Sequence, residues 1–268
     1  MKLPEPEADW PSDWKTLYNY DAMQFFRGDS LVTFLESTSF PRRTDQEAFQ
    51  AWRHYQRRFH RTIDLVAKYC DPPASVLDIG AAEGNFALTL ARMGYKVTWN
   101  DILGSRAGYV RLKMTDELMG FAPGNILEMN PSNKYDCVLA TEVIEHVAHP
   151  DEFLRKMANF ANKRAVLILS TPNGDYLRNR LPRFSDFQED QLKTFEAGQF
   201  QPDGDGHIFA LRRDEILNIA KEMRLSVEEI TYEAPFPRLS GSVAYDLLPW
   251  IPLVRRRVCT TTLFVLRV

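Results

Sequence analysis

Three side chains that could carry acid–base or metal chemistry lie close together at Glu142, Glu145 and His146. They directly follow a predicted buried strand, and doubly wound sheets bind their ligands at the carboxyl ends of strands. If this segment is helical, spacings of three and four residues place the three side chains on one face. Two carboxylates and an imidazole that converge there could bind a divalent cation.

Two further histidines lie nearby in the sequence and differ in what they predict. His207 ends the polar, glycine-rich loop 203–207, and it could be a fourth ligand or take part in proton transfer. His149 directly precedes Pro150 and Asp151, an arrangement that turns the chain into a helix. We therefore interpret His149 as a residue of the helix cap and not as a ligand.

A second candidate site is the turn 80–84, which joins a buried strand to a helix in the segment VLDIGAAEGNF (residues 76–86). Gly80 and Gly84 allow the backbone to approach a ligand closely, and the helix that follows offers unpaired N–H groups. Ala82 occupies the position of the second glycine in the dinucleotide-binding pattern, and Glu83 adds a negative charge. Both features disfavour a bound pyrophosphate.

Asp101 ends the next predicted strand, roughly 20 residues after Gly80, where an acidic side chain can accept both hydroxyls of a ribose. Together with the turn, it predicts a ligand that contains ribose without a diphosphate. The alternative is that residues 80–84 form only a tight turn and that Asp101 is a solvated cap.

The elements that must position these residues alternate as strand, turn and helix, which is typical of a doubly wound parallel sheet. Val76, Leu77 and Ile79, and the apolar run 166–169, indicate strands that are buried on both faces. Two strands at the end of the chain indicate an antiparallel hairpin that closes one edge of the sheet. Strands are predicted at 75–79, 96–100, 118–121, 135–140, 165–170, 225–232 and 260–268, and helices at 85–93, 105–115, 151–161 and 213–223.

The fold class is therefore α/β, with a mostly parallel seven-stranded sheet, an antiparallel terminal strand, an N-terminal helical cap and an inserted lid. Residues 1–70 form the cap, in which a helix runs from about Thr44 to Tyr69 after weaker helical patterns near 14–26 and 30–34. Thr44 and Glu47 form a predicted capping box. Residues 71–268 form the sheet domain, with insertions at about 173–206 and 233–258.

Three segments together resemble the class I S-adenosylmethionine-dependent methyltransferases: VLDIGAAEGNF, Asp101 and YDCVLATEVIEHV (residues 135–147). The resemblance covers about residues 73–173 and implies S-adenosyl-L-methionine as the cofactor. It implies that the glycine turn lies against the methionine part, that Asp101 holds the ribose, and that Asn125 flanks the adenine. Asn125 departs from the commoner aspartate, but a carboxamide can still hydrogen-bond the exocyclic amine. The expected cofactor-binding residues are Asp78, Gly80, Ala81, Gly84, Asn85, Phe86, Asp101, Ile102, Asn125, Ile126 and Thr141.

The E-x-x-E-H spacing with a distant histidine is similar to two metal-dependent branches of that superfamily. These are the ubiquinone-pathway catechol O-methyltransferases and the 2′-O-methyltransferases of small-RNA 3′ ends, which both methylate one hydroxyl of a vicinal pair. The resemblance implies Mg²⁺ held by Glu142, Glu145, His146 and His207, because a cation lowers the cost of forming the oxyanion. The pattern also resembles members for which no metal is known. There, Glu142 would lie beside the cofactor, Glu145 would be a charge on a helix face, and His146 would be a general base or a packed histidine.

We therefore expect an S-adenosylmethionine-dependent enzyme that O-methylates a small-molecule or carbohydrate-like acceptor, with His146, His207 and Glu142 as catalytic candidates. One alternative is a small-RNA 2′-O-methyltransferase, although a net charge of −3 gives no general attraction to phosphate backbones. Another is a non-catalytic S-adenosylmethionine-binding protein that serves a different methyltransferase.

Composition and end segments predict a cytoplasmic protein. The N-terminus carries no basic region followed by an apolar stretch, so no secretory signal is expected. No apolar run approaches the roughly 18 residues that span a bilayer. The three cysteines are an odd number without paired metal spacing, which predicts reduced thiols.

Two surfaces could contact further partners, and the oligomeric state stays open. Arg53, Arg57, Arg58 and Arg61, just after Arg42 and Arg43, make one side of the long helix basic. That side is either a solvated face or a site for an anionic acceptor, such as a nucleotide-linked or lipid-linked sugar or an RNA end. Segment 243–257 joins apolar residues to three arginines, and it could rest on an anionic membrane surface, form a dimer contact or fold as a buried flap.

Overall fold

The computed structural model describes residues 45–114, 119–196, 199, 206–236, 239 and 242–268. The helical patterns near 14–26 and 30–34, the capping residue Thr44, Arg42, Arg43 and the loop residues 203–205 lie outside the described residues. The helices are α1 (Asp45–Tyr69), α2 (Asn85–Arg92), α3 (Arg106–Lys113), α4 (Pro150–Phe160), α5 (Glu189–Glu196), α6 (Arg213–Glu222), α7 (Val243–Leu247) and α8 (Pro252–Val258). The strands are β1 (Ser75–Ile79), β2 (Lys96–Asn100), β3 (Met119–Phe121), β4 (Tyr135–Thr141), β5 (Ala161–Pro172), β6 (Ser226–Pro235) and β7 (Cys259–Arg267). Short 3₁₀ turns lie at Ile144–His146, Phe184–Asp186 and Leu248–Trp250.

The seven strands form one sheet in the order β3-β2-β1-β4-β5-β7-β6. The pairs from β3 to β5 are parallel, whereas β7 is antiparallel to both β5 and β6. This confirms the predicted doubly wound sheet with an antiparallel terminal strand. The strand order reverses between β1 and β4, and their carboxyl ends therefore form the crevice in which such sheets bind ligands.

The bounds of β5 differ most from those predicted, because the strand begins at Ala161 and not at Ala165. Ala161 pairs with Tyr135 at the start of β4, and a register shift follows before Cys137 pairs with Val166. The charged residues of this extension interrupt the apolar run, so the sequence pattern gives no signal for it.

Helices cover both faces of the sheet and bury an apolar core on each side. On one face, Phe59 of α1 packs with Phe86 of α2 and Val110 of α3. On the other face, Phe153 of α4 packs with Ile216 of α6. The domain boundary predicted at residue 70 falls between α1 and β1, although α1 contributes to the same core as β1.

The basic side of α1 packs against acidic residues of β6 and of the segments that follow β4 and β6. Nε of Arg57 lies 3.1 Å from Oε2 of Glu233, and Nη2 of Arg61 lies 2.8 Å from Oε1 of Glu229, both on β6. Burial raises the pKa of Glu233 above its usual value, and the charge of Arg57 offsets this effect only in part. The prediction of a solvated basic face is therefore wrong for these arginines, whose charges are paired within the chain. Arg53 pairs with Asp246, and Arg58 pairs with Glu142.

The excursion between β6 and β7 carries α7 and α8 and exposes apolar side chains. Leu247 and Trp250 are 56% and 68% exposed, so the prediction of a buried flap is wrong. Across the described residues, no helix is both long and apolar enough to cross a membrane.

Candidate active site

The turn between β1 and α2 contains three residues with left-handed backbone, with φ of +64° at Gly80, +44° at Ala82 and +79° at Gly84. Glycine is required at position 80, because a Cβ atom there would lie 2.6 Å from Cγ2 of Val143. Gly84 is the N-cap of α2. The unpaired N–H groups of the first helical turn therefore lie at the carboxyl end of β1.

Asp101 is buried directly after β2 and fixes this turn. Its Oδ2 accepts a hydrogen bond from the Ala82 amide at 2.8 Å, and its Oδ1 accepts one from the Leu103 amide at 2.8 Å. The indole Nε1 of Trp99 donates to the Ala82 carbonyl at 3.0 Å. Each carboxylate oxygen of Asp101 keeps a further lone pair, so the residue can still accept hydrogen bonds from ribose hydroxyls.

Residues before and after the turn join it to the core and to α1. Burial raises the pKa of the fully buried Asp78 to about 8, and the Ala87 amide partly opposes this effect. Nδ2 of Asn85 donates to the Tyr55 hydroxyl at 3.0 Å. The Phe86 side chain is buried in the core against α1, so only the backbone of this residue is available for the predicted cofactor contact.

Asn125 and Ile126, expected beside the adenine, lie after β3, and the cofactor candidate Ile102 lies after β2. Oδ1 of Asn125 accepts a hydrogen bond from the Leu127 amide at 3.1 Å, and its Nδ2 donates to Glu128 at 2.9 Å. Oδ1 keeps a second lone pair and Nδ2 keeps a second N–H group, so the carboxamide can still contact adenine while both hydrogen bonds persist. Ile126 is buried, whereas Ile102 is 42% exposed and offers apolar surface directly after Asp101.

Glu142 follows β4 with a left-handed backbone, φ +55°, and its amide donates to the Ser170 carbonyl at 2.9 Å. Its Oε1 accepts a hydrogen bond from the Ser170 hydroxyl at 2.8 Å. Its Oε2 lies 3.1 Å from Nη1 of Arg58 on α1. The preceding residue, Thr141, pairs in register with Ser170, so the ends of β4 and β5 and the helix α1 meet at Glu142.

A group of three potential metal or proton ligands lies next to Glu142 and consists of Glu145, His146 and His207. One ligand atom from each residue lies within 4.8 Å of the others. The rings of His146 and His207 are 4.8 Å apart at their centroids and inclined by 71°. Nε2 of His207 lies 3.9 Å from Oε1 of Glu145.

The carboxyl group of Glu145 is fully buried. Its Oε2 accepts a hydrogen bond from the Thr171 hydroxyl at 3.1 Å, but Oε1 has no hydrogen-bond partner among the described residues. Burial, and next the charge of Glu142, raise the pKa of Glu145 well above its usual range. A positive charge beside Oε1, from an imidazolium or a metal ion, would stabilise the carboxylate form.

The local backbone differs from the predicted helix and explains how the group forms. Residues Ile144–His146 form a 3₁₀ turn, and Glu142 lies before it. The Ile208 amide donates to the Glu145 carbonyl at 2.9 Å, which brings His207 beside the turn. The expectation that one helical face presents Glu142, Glu145 and His146 is therefore wrong, because main-chain hydrogen bonds from other segments fix the backbone.

A family model described as "Methyltransferase domain" matches residues 51–230, from within α1 to within β6. The chain belongs to the class I S-adenosylmethionine-dependent methyltransferases. This methyltransferase is 30% identical to the ubiquinone biosynthesis O-methyltransferase of Rickettsia bellii over 100 residues, which are 37% of this chain and 42% of the relative. It is 28% identical to the protein of the same name from Bradyrhizobium diazoefficiens over 122 residues, 45% of this chain and 47% of the relative. The chain thus spans less than half the length of these curated relatives.

Solved structures of other methyltransferases share the fold. An S-adenosylmethionine-dependent methyltransferase from Mesorhizobium loti superposes with a TM-score of 0.54 at 11% identity, covering 73% of this chain and 91% of that one. Magnesium protoporphyrin IX methyltransferase from Synechocystis superposes with a TM-score of 0.54 at 16% identity, covering 95% of both chains. At these identities the likeness concerns the fold alone.

The methyltransferase brings most of its sequence-predicted site residues to one edge of the sheet. The loop residues, Asp101 and Thr141 lie at the carboxyl ends of β1, β2 and β4, and three of the four predicted metal ligands form one group. Glu142 lies outside that group and pairs with Arg58. Nε2 of His149 lies 2.8 Å from Glu196, and the residue is the N-cap of α4, in agreement with its interpretation as a cap residue.

Sequence reasoning missed several residues that hold the site together. The hydroxyl groups of Ser170 and Thr171 donate hydrogen bonds to Glu142 and Glu145. In the sequence, these two hydroxyl residues directly follow the apolar run 166–169, and this pattern could have identified them. Arg58 and Tyr55 reach the site from α1. The sequence of the helix does not indicate these contacts, because Glu142 and Asn85, the partners of Arg58 and Tyr55, are distant in sequence.

Proposed function

We propose that this methyltransferase transfers the methyl group of S-adenosylmethionine to a hydroxyl oxygen of a small-molecule or carbohydrate-like acceptor. The observation that carries the proposal is the position of His146 and His207 beside the buried Glu145, at the carboxyl end of β4. A hydroxyl loses its proton as it attacks, and the two imidazoles offer proton acceptors there. The relatives from Rickettsia and Bradyrhizobium are named as O-methyltransferases, which supports oxygen as the methylated atom.

In the proposed reaction, the acceptor oxygen attacks the sulfonium methyl carbon, and the C–O bond forms as the C–S bond breaks. The electron pair of the C–S bond stays on sulfur, and the second product is S-adenosylhomocysteine. The hydroxyl proton passes to a ring nitrogen of His146 or His207. The Glu145 carboxylate, with Oε1 at 3.9 Å from Nε2 of His207, stabilises the resulting imidazolium.

As the alternative to proton transfer onto an imidazole, we propose that Glu145, His146 and His207 hold a divalent metal ion, in which case the ion and not a free ring nitrogen would assist loss of the hydroxyl proton. The buried Oε1 atom supports this proposal, because a buried carboxylate oxygen without a partner is costly and a cation would compensate it. Two imidazoles and one carboxylate suit ions such as Mn²⁺, Fe²⁺ or Zn²⁺ better than Mg²⁺, which prefers oxygen ligands. Such an ion would supply Lewis-acid chemistry by lowering the pKa of the acceptor hydroxyl.

A small acceptor is favoured over RNA by the charges on α1. Arg53, Arg57, Arg58 and Arg61 are all engaged in ion pairs with carboxylates of the chain. Little positive charge on this helix is therefore free to bind a phosphate backbone.

An acceptor panel tests the proposed activity. The full chain is incubated with S-adenosylmethionine and catechols, polyols, nucleotide sugars or a short RNA, and release of S-adenosylhomocysteine is measured. We expect release with a hydroxylated small molecule and an O-methyl product by mass spectrometry. Binding of S-adenosylhomocysteine without turnover on any acceptor would favour a non-catalytic partner protein, and methylation of the RNA would favour the small-RNA function.

Electron paramagnetic resonance of Mn²⁺ tests the metal proposal independently of turnover. We expect Glu145→Gln and His207→Gln to weaken Mn²⁺ binding by roughly tenfold or more each. Glu152→Gln, which removes an exposed carboxylate of α4, is the matched control and should leave binding unchanged. Absence of Mn²⁺ binding, together with full activity after exhaustive chelation, would refute the metal site.

A further inference from the structure

Two segments that leave the sheet at its carboxyl edge combine exposed apolar side chains with arginines. One follows β5, and the other is the excursion between β6 and β7. Leu177 is 69% exposed and Trp250 is 68% exposed, which is unusual for side chains of this size. We define the apolar–basic face by six exposed residues: Leu177, Arg178, Arg180, Leu247, Trp250 and Arg257.

Direct contacts join the two segments of this face. The Leu177 amide donates to the Arg257 carbonyl at 2.9 Å. The guanidinium of Arg178 lies 5.5 Å from the ring centroid of Phe236, which directly follows β6. These contacts join the segment after β5 to α8 and to the end of β6, the two ends of the excursion that carries Leu247 and Trp250.

Buried and ion-paired neighbours hold the face in place. Tyr245 of α7 is fully buried, and Oδ1 of Asp246 lies 2.7 Å from Nη1 of Arg57. On α8, Nε of Arg256 lies 2.8 Å from Oδ2 of the buried Asp175. Leu247 and Trp250 are thus exposed on a segment whose other side is packed against the protein.

The charge of the face is positive and uncompensated. Arg178, Arg180 and Arg257 form no ion pair with any residue in the part of the chain that the structure describes, unlike the arginines of α1. Guanidinium groups without an ion-pair partner can bind anionic headgroups, and exposed Leu and Trp side chains can bind the apolar layer beneath them. The face is therefore complementary to an anionic lipid surface.

We propose that the apolar–basic face docks on an anionic membrane surface. Trp250 and Leu247 insert at the boundary between headgroups and acyl chains, and the arginines contact lipid phosphates. A second copy of the chain fits less well, because a symmetric contact would bring these arginines against each other. RNA would leave the exposed leucines in water. The inference does not depend on the acceptor of methyl transfer, and its failure would leave the proposed function intact.

Vesicle sedimentation with the full chain tests the proposal. Vesicles of phosphatidylcholine alone are compared with vesicles that also contain phosphatidylglycerol. We expect binding only to the anionic vesicles, weakened by salt. Arg178→Gln with Arg257→Gln should weaken binding about 30-fold, since each arginine near an anionic surface contributes about fivefold. Leu247→Ser with Trp250→Ser should weaken it by roughly tenfold or more.

The matched control is Lys96→Gln with Lys163→Gln, which removes two exposed positive charges at the opposite edge of the sheet. It should bind vesicles like the unmodified chain, and all variants should retain S-adenosylhomocysteine binding as a check of folding. The proposal is overturned if the chain does not bind anionic vesicles, or if the lysine control loses as much binding as the arginine variant. It is also overturned if Leu247→Ser with Trp250→Ser disrupts a dimer but leaves vesicle binding unchanged. Binding of RNA oligonucleotides without binding of vesicles would overturn it as well.

Discussion

Nη1 of Arg58 on α1 lies 3.1 Å from Oε2 of Glu142, which directly follows β4. This ion pair joins α1 to the segment that carries Glu145 and His146, two residues of the candidate catalytic group. Burial and the charge of Glu142 raise the pKa of Glu145, whereas Arg58 lowers it. The helix α1 therefore contributes to the electrostatics of the active site as well as to the core.

Replacement of Arg58 tests this contribution. Because the substitution removes a positive charge beside the proposed metal ligands, Arg58→Gln should strengthen Mn²⁺ binding by about three- to tenfold. Arg61→Gln is the matched control, since Arg61 lies on the same helix but pairs with Glu229. Binding is measured by calorimetry. Unchanged or weaker Mn²⁺ binding in the Arg58 variant would show that Arg58 does not oppose a cation at this site.

Replacement of Asp101 tests the cofactor site. Asp101→Ala removes the carboxylate expected to hold the ribose, together with its hydrogen bonds from the Ala82 amide of the turn and from the Leu103 amide. S-adenosylhomocysteine should therefore bind at least about tenfold more weakly, as measured by calorimetry. Asp71→Ala, at an exposed aspartate before β1, controls for the loss of one charge. Equal affinities of the unmodified chain and the Asp101 variant would remove Asp101 from the site.

A substitution at Gly80 tests the conformation of the turn. Gly80→Ala combines the strain of a left-handed backbone with a Cβ atom 2.6 Å from Val143, so it should lower the free energy of unfolding by about 2–4 kcal/mol. Adding Val143→Ala removes the clash, and denaturant unfolding should show that part of this loss is recovered. A double variant no more stable than Gly80→Ala alone would exclude the contact as the cause.

The partly buried His54 should make stability depend on pH. Burial lowers its pKa to about 4, and its two ring nitrogens lie 3.3 and 3.2 Å from the hydroxyls of Thr260 and Thr261. In the unfolded chain the pKa is near 6.5, so the stability contributed by the neutral ring is present above pH 6.5 and is lost as the pH falls towards 4. The expected loss between pH 7 and pH 5 is about 2 kcal/mol. Denaturant unfolding should show a smaller loss for His54→Gln, and an equal loss in both proteins would exclude His54 as its origin.

The sheet could be predicted from the sequence because its signals are local. Apolar runs such as 166–169 identify strands that are buried on both faces, and the alternation with helices fixes a parallel order. The requirement for glycine at position 80 also follows from a local feature, the tight turn between strand and helix.

The geometry of the candidate catalytic group, Glu145, His146 and His207, could not be predicted because tertiary hydrogen bonds decide it. The spacing of Glu142, Glu145 and His146 suits a helix, but the Ser170 carbonyl and the Ile208 amide bind the backbone of this segment and impose a 3₁₀ turn. His207 joins the group through the same contact.

The partners of α1 could not be predicted for a related reason. A row of arginines on one helix face predicts a solvated surface when the carboxylates that pack against it in the folded chain are unknown. Glu229 and Glu233 belong to a strand more than 160 residues later in the chain, and only the folded sheet brings them to Arg57 and Arg61.

Transfer of a labelled methyl group in a single turnover tests the proposed O-methylation most directly. The hydroxylated acceptor found in the panel is mixed with labelled S-adenosylmethionine and either the unmodified chain or the variant His146→Gln with His207→Gln. We expect the label on the acceptor oxygen, and a rate about 100-fold or more lower in the variant at unchanged S-adenosylhomocysteine affinity. A label on nitrogen, or a variant that transfers methyl as fast as the unmodified chain, would contradict the proposed role of the two histidines.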